Sequence, residues 1–406
     1  MKILERFLNY VAIDTKSDCT SDTCPSTSKQ FDLANLLVDE MRDMGLENVH
    51  IDEHGYVYGT LEKNIEKDIP VVGFIAHMDT SPDFSGKDVK PKMIEDYDGE
   101  DIVLNEELGI VMKVDDFPSL KEYKGNTIIT TDGTTLLGAD DKAGIASILN
   151  AIQETIKENT PHGTIKIAFT PDEEIGRGAD RFDVEKFAAD FAYTIDGGEI
   201  GELNYENFNA ASCVVTINGV NIHPGSAKNK MKNAILMAME FNDMLPGNEI
   251  PAATEHREGF YHLNDLEGNV EKTKMNYIIR DHFIDSFEKR KVMVEDIAVF
   301  LNKKYGENTV EIKLKDSYYN MLEKFGENDM HIMDTAAEAM EMADVEPNIA
   351  PIRGGTDGSR LSYMGLLTPN VFTGGANFHG KFEFIPLESL EKSSEVVKNI
   401  IKIYAQ

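Results

Sequence analysis

The sequence predicts an α/β protein with a smaller α+β domain inserted near its middle. Three observations carry that prediction. Short apolar runs such as "VVGFIAHMDT" and "TIKIAFTPDEE" stop abruptly in polar turns, as buried strands do. Helical periodicities lie between those runs, so a sheet with both faces covered is expected. Near residue 208 the texture changes to longer strands that alternate apolar and polar residues.

Taken in order, the elements support this reading. The stretch from Phe31 to Met44 sets Phe31, Ala34, Leu37, Val38 and Met41 on one helical face, and Gly45 follows as a C′ residue. "VVGFIAHMDT" is a strand entering a turn. "LLGADDKAGIASILNAIQETIKE" begins as a Gly-Asp turn and becomes a helix by Ala143. "TIKIAFTPDEE" is the next strand, and "FAYTIDGG" another that ends at Asp196. The inserted domain starts with the strand "ASCVVTINGV", the turn "NIHPGS" and a helix from Asn233 to Leu245. It continues through the strand "TKMNYIIRDHF", a helix from Ser286 to Tyr305 and the strand "NTVEIKLKDSYYN", with room for a fourth strand near Gly259 to Leu266. The expected segments are therefore 1–207, 208–316 and 317–406. The last returns to α/β style, with a helix from Asp329 to Ala343 and the glycine-rich "PIRGGTDGSRLSYMG". A strand at "TPNVFTGG" and a helix from Leu387 to Tyr404 complete it.

Composition excludes partners more than it selects one. Among 406 residues, 40 Lys and Arg face 72 Asp and Glu, a formal charge of −32. Such a surface repels phosphate backbones and anionic lipid, so neither nucleic acid nor a membrane surface is an expected partner. No run approaches the ~18 apolar residues of a membrane span. "MKILERFLNYVAIDTKS" is interrupted by Glu5, Arg6 and Asn9 and lacks the pattern of a signal peptide. Cys19, Cys24 and Cys213 are too few and too scattered for a disulfide framework. A cytoplasmic location is the expectation.

Ligand sites in open α/β sheets gather beyond the carboxyl ends of the strands. Here those ends carry His77 and Asp79, Glu173 and Glu174, and Asp196; Asp140 sits in the turn before a helix, and His379 in the downstream turn "GGANFHGKFE". Imidazole mixed with carboxylate suits zinc, manganese or cobalt. In "HMD", positions i and i+2 share a strand face, so Asp79 can reach the second ring nitrogen of a metal-binding His77. Each element also has a plainer explanation: a buried histidine beside an aspartate, a helix N-cap at Asp140 or Asp141, a solvated acidic loop at "PDEE". The repetition of one placement favours a metal site. One of Glu173 and Glu174 is placed to coordinate while the other reaches a metal-bound water, whose pKa a divalent ion lowers towards ~7. Counting ligands gives two ions: His77, Asp196 and a bridging Asp140 for one, and His379, Glu174 and the same Asp140 for the other. "STSK", the calcium-loop-like "DYDGED" and the glycine-rich "RGGTDGS" each lack the companion residues of the motifs they suggest, and no HExxH occurs.

"HMDT", "LLGADDKAGIA", "TPDEEIGRG", "IDGGEIGEL", "NIHPGSAK", "RGGTDGS" and "GANFHG" together resemble the co-catalytic dizinc exopeptidases over nearly the whole chain. Within that family the chain is most similar to the aminotripeptidase branch, chiefly through "DGTTLLGADDKAG" and "GVNIHPGSAKNKMKNA". The resemblance implies a zinc-exopeptidase-like catalytic domain, a mixed sheet with helices on both faces. It also implies that the insert is a lid through which a homodimer forms. It assigns His77, Asp140, Glu174, Asp196 and His379 to two divalent ions, Zn2+ with Mn2+ or Co2+ as alternatives. Glu173 matches the general base, and Asp79 the aspartate that orients His77. The implied activity is removal of the N-terminal residue from tripeptides by metal-bound hydroxide. His223 is expected to hold substrate or the oxyanion. Arg280 and Arg353 are our candidates for the peptide carboxylate, and Asn377 for a further substrate contact. A related deacylase or carboxypeptidase, or a non-catalytic metal-binding protein of this fold, are the alternatives.

Overall fold

A computed structural model describes all residues from Met1 to Gln406. The chain divides into two compact units, one of residues 1–205, 324–350 and 356–406, the other of residues 206–323 and 351–355.

The first unit is built on an eight-stranded mixed sheet. Its strands lie in the order Glu47–Ile51, Val57–Leu61, Ile165–Thr170, Val72–His77, Phe191–Gly197, Asn370–Phe372, Glu202–Asn204 and Asn348–Ile349. The four from Ile165–Thr170 to Asn370–Phe372 are mutually parallel, so their carboxyl ends share one edge. Both faces of these strands are covered, which is why they read as continuous apolar runs rather than alternations. Phe74, Ala76, Ile167, Phe169, Tyr193 and Ile195 point into the larger core, with the long helices Ala139–Glu158 and Leu387–Tyr404. Ile75, Ala168 and Ala192 point into a smaller core capped by Phe182, Phe187 and Leu361. The helix Leu387–Tyr404 has the bounds the sequence predicts, and Gln30–Asp43 and His331–Met342 fall within two residues of prediction. The sequence reading misses four strands of the eight-stranded sheet, Glu47–Ile51, Val57–Leu61, Glu202–Asn204 and Asn348–Ile349. It also misses a three-stranded sheet of Lys92–Ile94, Ile128–Thr130 and Ile385–Pro386, and the hairpin of Ile102–Asn105 with Ile110–Met112.

The second unit is an antiparallel sheet ordered Phe260–Gly268, Lys272–Asp281, Asn209–Asn218 and Val310–Tyr318. Alternate residues Cys213, Val215 and Ile217 pack with Met275, Tyr277 and Ile279 against the helices Ala234–Asp243 and Ile284–Tyr305. This compact unit is wider than the expected 208–316. Buried asparagines fasten its two crossing strands together: Asn207 Oδ1 accepts from the Met321 N–H (2.8 Å), and Asn209 Oδ1 from the Asn320 N–H (2.9 Å). Residues 351–355 join it where Ile352 bridges to Asn207.

Candidate active site

Seven predicted side chains converge at the carboxyl edge of the parallel strands. His77, the last residue of its strand, is 2 % exposed. Its Nε2 lies 2.9 Å from Asp140 Oδ1, 3.4 Å from Asp196 Oδ1 and 4.0 Å from Glu173 Oε2. His379, in the turn after Asn370–Phe372, places Nε2 at 3.2 Å from Asp140 Oδ2 and 2.9 Å from Glu174 Oε2. The two oxygens of Asp140 thus face the two imidazoles. Metal-compatible groupings form around His77 both with Asp140 and Glu174 and with Glu173 and Asp196.

Backbone conformation sets these positions. Asp140 and Asp141 depart from helical φ/ψ at the start of Ala139–Glu158, so Asp140 faces the site while Asp141 turns inward. Asp141 Oδ2 accepts from the His77 N–H and Oδ1 from the Gly144 N–H, each at 3.1 Å. Asp172 adopts a left-handed conformation, φ 58°, that swings the next two glutamates out of the strand direction. Its carboxylate accepts from the Ser26 N–H (2.6 Å) and from Gln30 Nε2 (2.7 Å). Asp79 is fully buried, and its role is broader than the sequence suggests. His77 Nδ1 is 3.0 Å from the Asp79 main-chain oxygen and 3.4 Å from the carboxylate. That carboxylate accepts instead from the N–H groups of Glu173 (2.9 Å) and Glu174 (3.2 Å).

Crowding of acids in a partly buried site shifts their protonation. Burial and Asp140 push Glu174 up to about 8, and burial lifts Asp196 to about 6 against the pull of His77. Burial and then Asp196 push Glu173 well above the carboxylate range. Hydrogen bonds to Asp140 and Glu174 raise His379 to about 11. At Asp140, burial is outweighed by the two histidines, which hold it below its usual range. One oxygen, Glu174 Oε1, is buried with no hydrogen-bond partner. Two histidines are thus the only cationic partners set among four clustered carboxylates, a donor set compatible with metal binding.

The model of peptidase family M20/M25/M40 matches residues 130–403. The chain belongs to that family. It is 58% identical to peptidase T of Halothermothrix orenii over 100% of this chain and 99% of the relative. Peptidase T of Desulfitobacterium hafniense is 60% identical, over 100% and 98%. Among solved structures, aminopeptidase PepT from Bacillus cereus superposes with a TM-score of 0.79 at 25% identity, covering 100% of this chain and 98% of the other. This member of the M20 family is a peptidase, and its mixed α/β fold is the family's.

The remaining predicted residues have polar groups engaged locally. His223, in the second unit, is exposed at the start of a 3-10 turn, and its Nδ1 accepts from the Gly225 N–H (3.1 Å). In the same unit Arg280 Nη1 donates to the Arg353 carbonyl (2.9 Å), while its Nε is buried without a partner. The Arg353 guanidinium donates to the carbonyl of His256 (2.8 Å) and to Thr254 Oγ1 (3.0 Å), and it covers the ring of Phe208. Asn377 Nδ2 donates to the Phe382 carbonyl (3.2 Å) and so shapes the turn that carries His379. Sequence reasoning missed the buried acid Glu383. Its one signal is a charge between Phe382 and Phe384 in "KFEF".

Proposed function

We propose that this peptidase uses two divalent ions to remove the N-terminal residue from tripeptides, in the cytoplasm. The observation that carries the reading is Asp140, whose oxygens address His77 on one side and His379 on the other, as a bridging carboxylate must. His77, Asp140 and Asp196 would hold one ion, and His379, Glu174 and Asp140 the other. The mixed nitrogen and oxygen donors and the unpartnered Glu174 Oε1 fit Zn2+, with Mn2+ and Co2+ next. Such a pair, when bound, polarises the scissile carbonyl and acidifies a water.

The chain's own residues then perform the proton transfers. Glu173 stands 4.0 Å from His77 and takes the proton of the attacking water. The same group, now neutral, returns the proton to the departing amine. Asp79 fixes both glutamates through their backbone N–H groups and keeps His77 oriented through its carbonyl. We assign His223 to the developing oxyanion and Arg280, whose Nε is buried with no hydrogen-bond partner, to the peptide carboxylate. Arg353 serves that binding through its carbonyl bond to Arg280, and Asn377 serves it by shaping the His379 turn. The tripeptide preference is supported by the peptidase T relatives and the aminotripeptidase-like motifs. The unpaired Cys19, Cys24 and Cys213 suit a reducing compartment, and no helix is long and apolar enough to cross a membrane. Exposed Leu236 and Met239 on one lid helix and Val299 and Phe300 on the other support a homodimer through this domain.

Glu173→Ala tests the assignment. Turnover of a free tripeptide should fall on the order of a thousandfold or more, with zinc content unchanged at two ions per chain. Unchanged turnover would remove Glu173 from the chemistry. Equal cleavage of tripeptides with a blocked amine would point to a deacylase or carboxypeptidase, and full activity after exhaustive chelation would exclude the metal reading.

A further inference from the structure

Glu383 has no assigned part in the reaction, yet it is 1 % exposed and lies four residues beyond His379. All three of its side-chain hydrogen bonds come from the backbone of the turn that delivers Asp140. Oε2 accepts from the N–H groups of Leu137 (2.7 Å) and Gly138 (2.9 Å), and Oε1 from that of Asp140 itself (3.2 Å). The Glu383 carbonyl accepts from Thr130 Oγ1 (2.9 Å), which ties its loop to the strand Ile128–Thr130. Gly138 adopts a left-handed φ of 82°, so the turn that presents these N–H groups is a shape few other residues tolerate.

These contacts close a ring. One path from Asp140 to His379 runs directly between their side chains, at 3.2 Å. The other runs from the Asp140 N–H through the Glu383 carboxylate and back along 379–383. A rigid second path fixes the length of the first. We propose that Glu383 is a positioning residue that sets the spacing between Asp140 and His379, and so the affinity of the site for the ion those two ligands share. This inference rests on the two-metal reading. It differs in kind from Asp79, which orients the base side of the site, because Glu383 joins two ligand turns across a sequence separation of 243 residues.

Glu383→Gln discriminates well, because the two carboxylate oxygens have unequal duties. The amide oxygen can keep the Leu137 and Gly138 bonds, but the amide nitrogen then faces the Asp140 N–H, donor against donor. Zinc titration of the metal-free chain against a chromophoric chelator should show two ions for the wild type. For the variant, one of the two should bind about 10- to 100-fold more weakly. Glu383→Asp, shorter but still an acceptor on both oxygens, should fall between. A purely structural role would lower the melting temperature of the metal-free protein and leave the zinc curve in place. Wild-type zinc affinities in a folded Glu383→Gln chain overturn the proposal, as does failure of both variants to fold, which would make Glu383 scaffold. A wild-type chain that takes up fewer than two ions overturns this inference and the two-metal reading together.

Discussion

Gly144→Ala adds one methyl at the closest approach between the helix Ala139–Glu158 and the strand Phe191–Gly197. A Cβ there would lie well under 3.0 Å from the Ile195 carbonyl oxygen and the nearer Asp141 carboxylate oxygen, and 2.9 Å from the farther one. Neither neighbour is a flexible side-chain tip: one is strand backbone, and the other is a carboxylate held by the N–H groups of His77 and Gly144. Helix and strand must therefore part by on the order of 1 Å, and overpacking of that kind costs about 1–3 kcal/mol. With an unfolding entropy of about 2.1 cal/mol/K per residue, 3 kcal/mol lowers the melting point of a unit of about 280 residues by about 5 °C. The functional effect should be larger than the thermal one. Asp196 follows Ile195 directly, and Asp140 starts the displaced helix, so the 3.4 Å approach of His77 to Asp196 and its 2.9 Å approach to Asp140 cannot both survive. A misplacement near 1 Å costs about a hundredfold in rate. Calorimetry together with steady-state tripeptide hydrolysis at saturating zinc measures both numbers. A variant that melts and turns over like the wild type would refute the close approach, and with it the idea that this contact sets the distance between the ligands.

Two further predictions concern the second unit. Its His282 is buried, lies 3.7 Å from Glu206 and has neither ring nitrogen hydrogen-bonded. Burial holds it below its ordinary 6.5 despite the opposing pull of Glu206, among neighbours that include Arg257, Asp281 and Arg353. The unfolded chain therefore takes up a proton near pH 6.5 while the folded chain does not, and stability present above that pH is lost as pH falls towards the folded value. Urea midpoints from pH 8 to pH 5 should fall less steeply in His282→Phe, and superimposable profiles would refute the account. Arg290 Nε donates to Asp281 Oδ2 at 2.7 Å, and a second nitrogen pairs with Glu249. Arg290→Met should cost about 3–5 kcal/mol by leaving the buried Asp281 uncompensated. Adding Asp281→Asn should recover much of that in the same denaturation assay; no recovery would mean the loss is one of packing.

Much of the site was legible because strand ends and ligands coincide. Apolar runs such as Ile165–Thr170 show where the sheet is, and the polar residues that follow have one edge at which to meet. What stayed hidden lacks a period or a charge that stands out. Strands of three residues, Lys92–Ile94 and Ile110–Met112, are too short to show alternation. Asn207 and Asn209 carry no periodicity that marks them in sequence, although their amide oxygens hold the Met321 and Asn320 N–H groups. Arg353 looked like a ligand for carboxylate, since nothing in its neighbourhood revealed that carbonyls of a loop a hundred residues earlier would take its donors. Asp79 was legible as a partner of His77, but not as the acceptor that holds the Glu173–Glu174 turn.

The strand Asn370–Phe372 slots between Phe191–Gly197 and Glu202–Asn204, in the interior of the sheet rather than at its margin. Ribosomes make it after nearly everything it must join. Until it arrives, Glu202–Asn204 and Asn348–Ile349 have no strand to join them to the other five, and the turns carrying His379 and Glu383 do not yet exist. Hydrolytic competence is therefore expected only once this late strand has joined the two-stranded flank to the other five and brought His379 to the cluster.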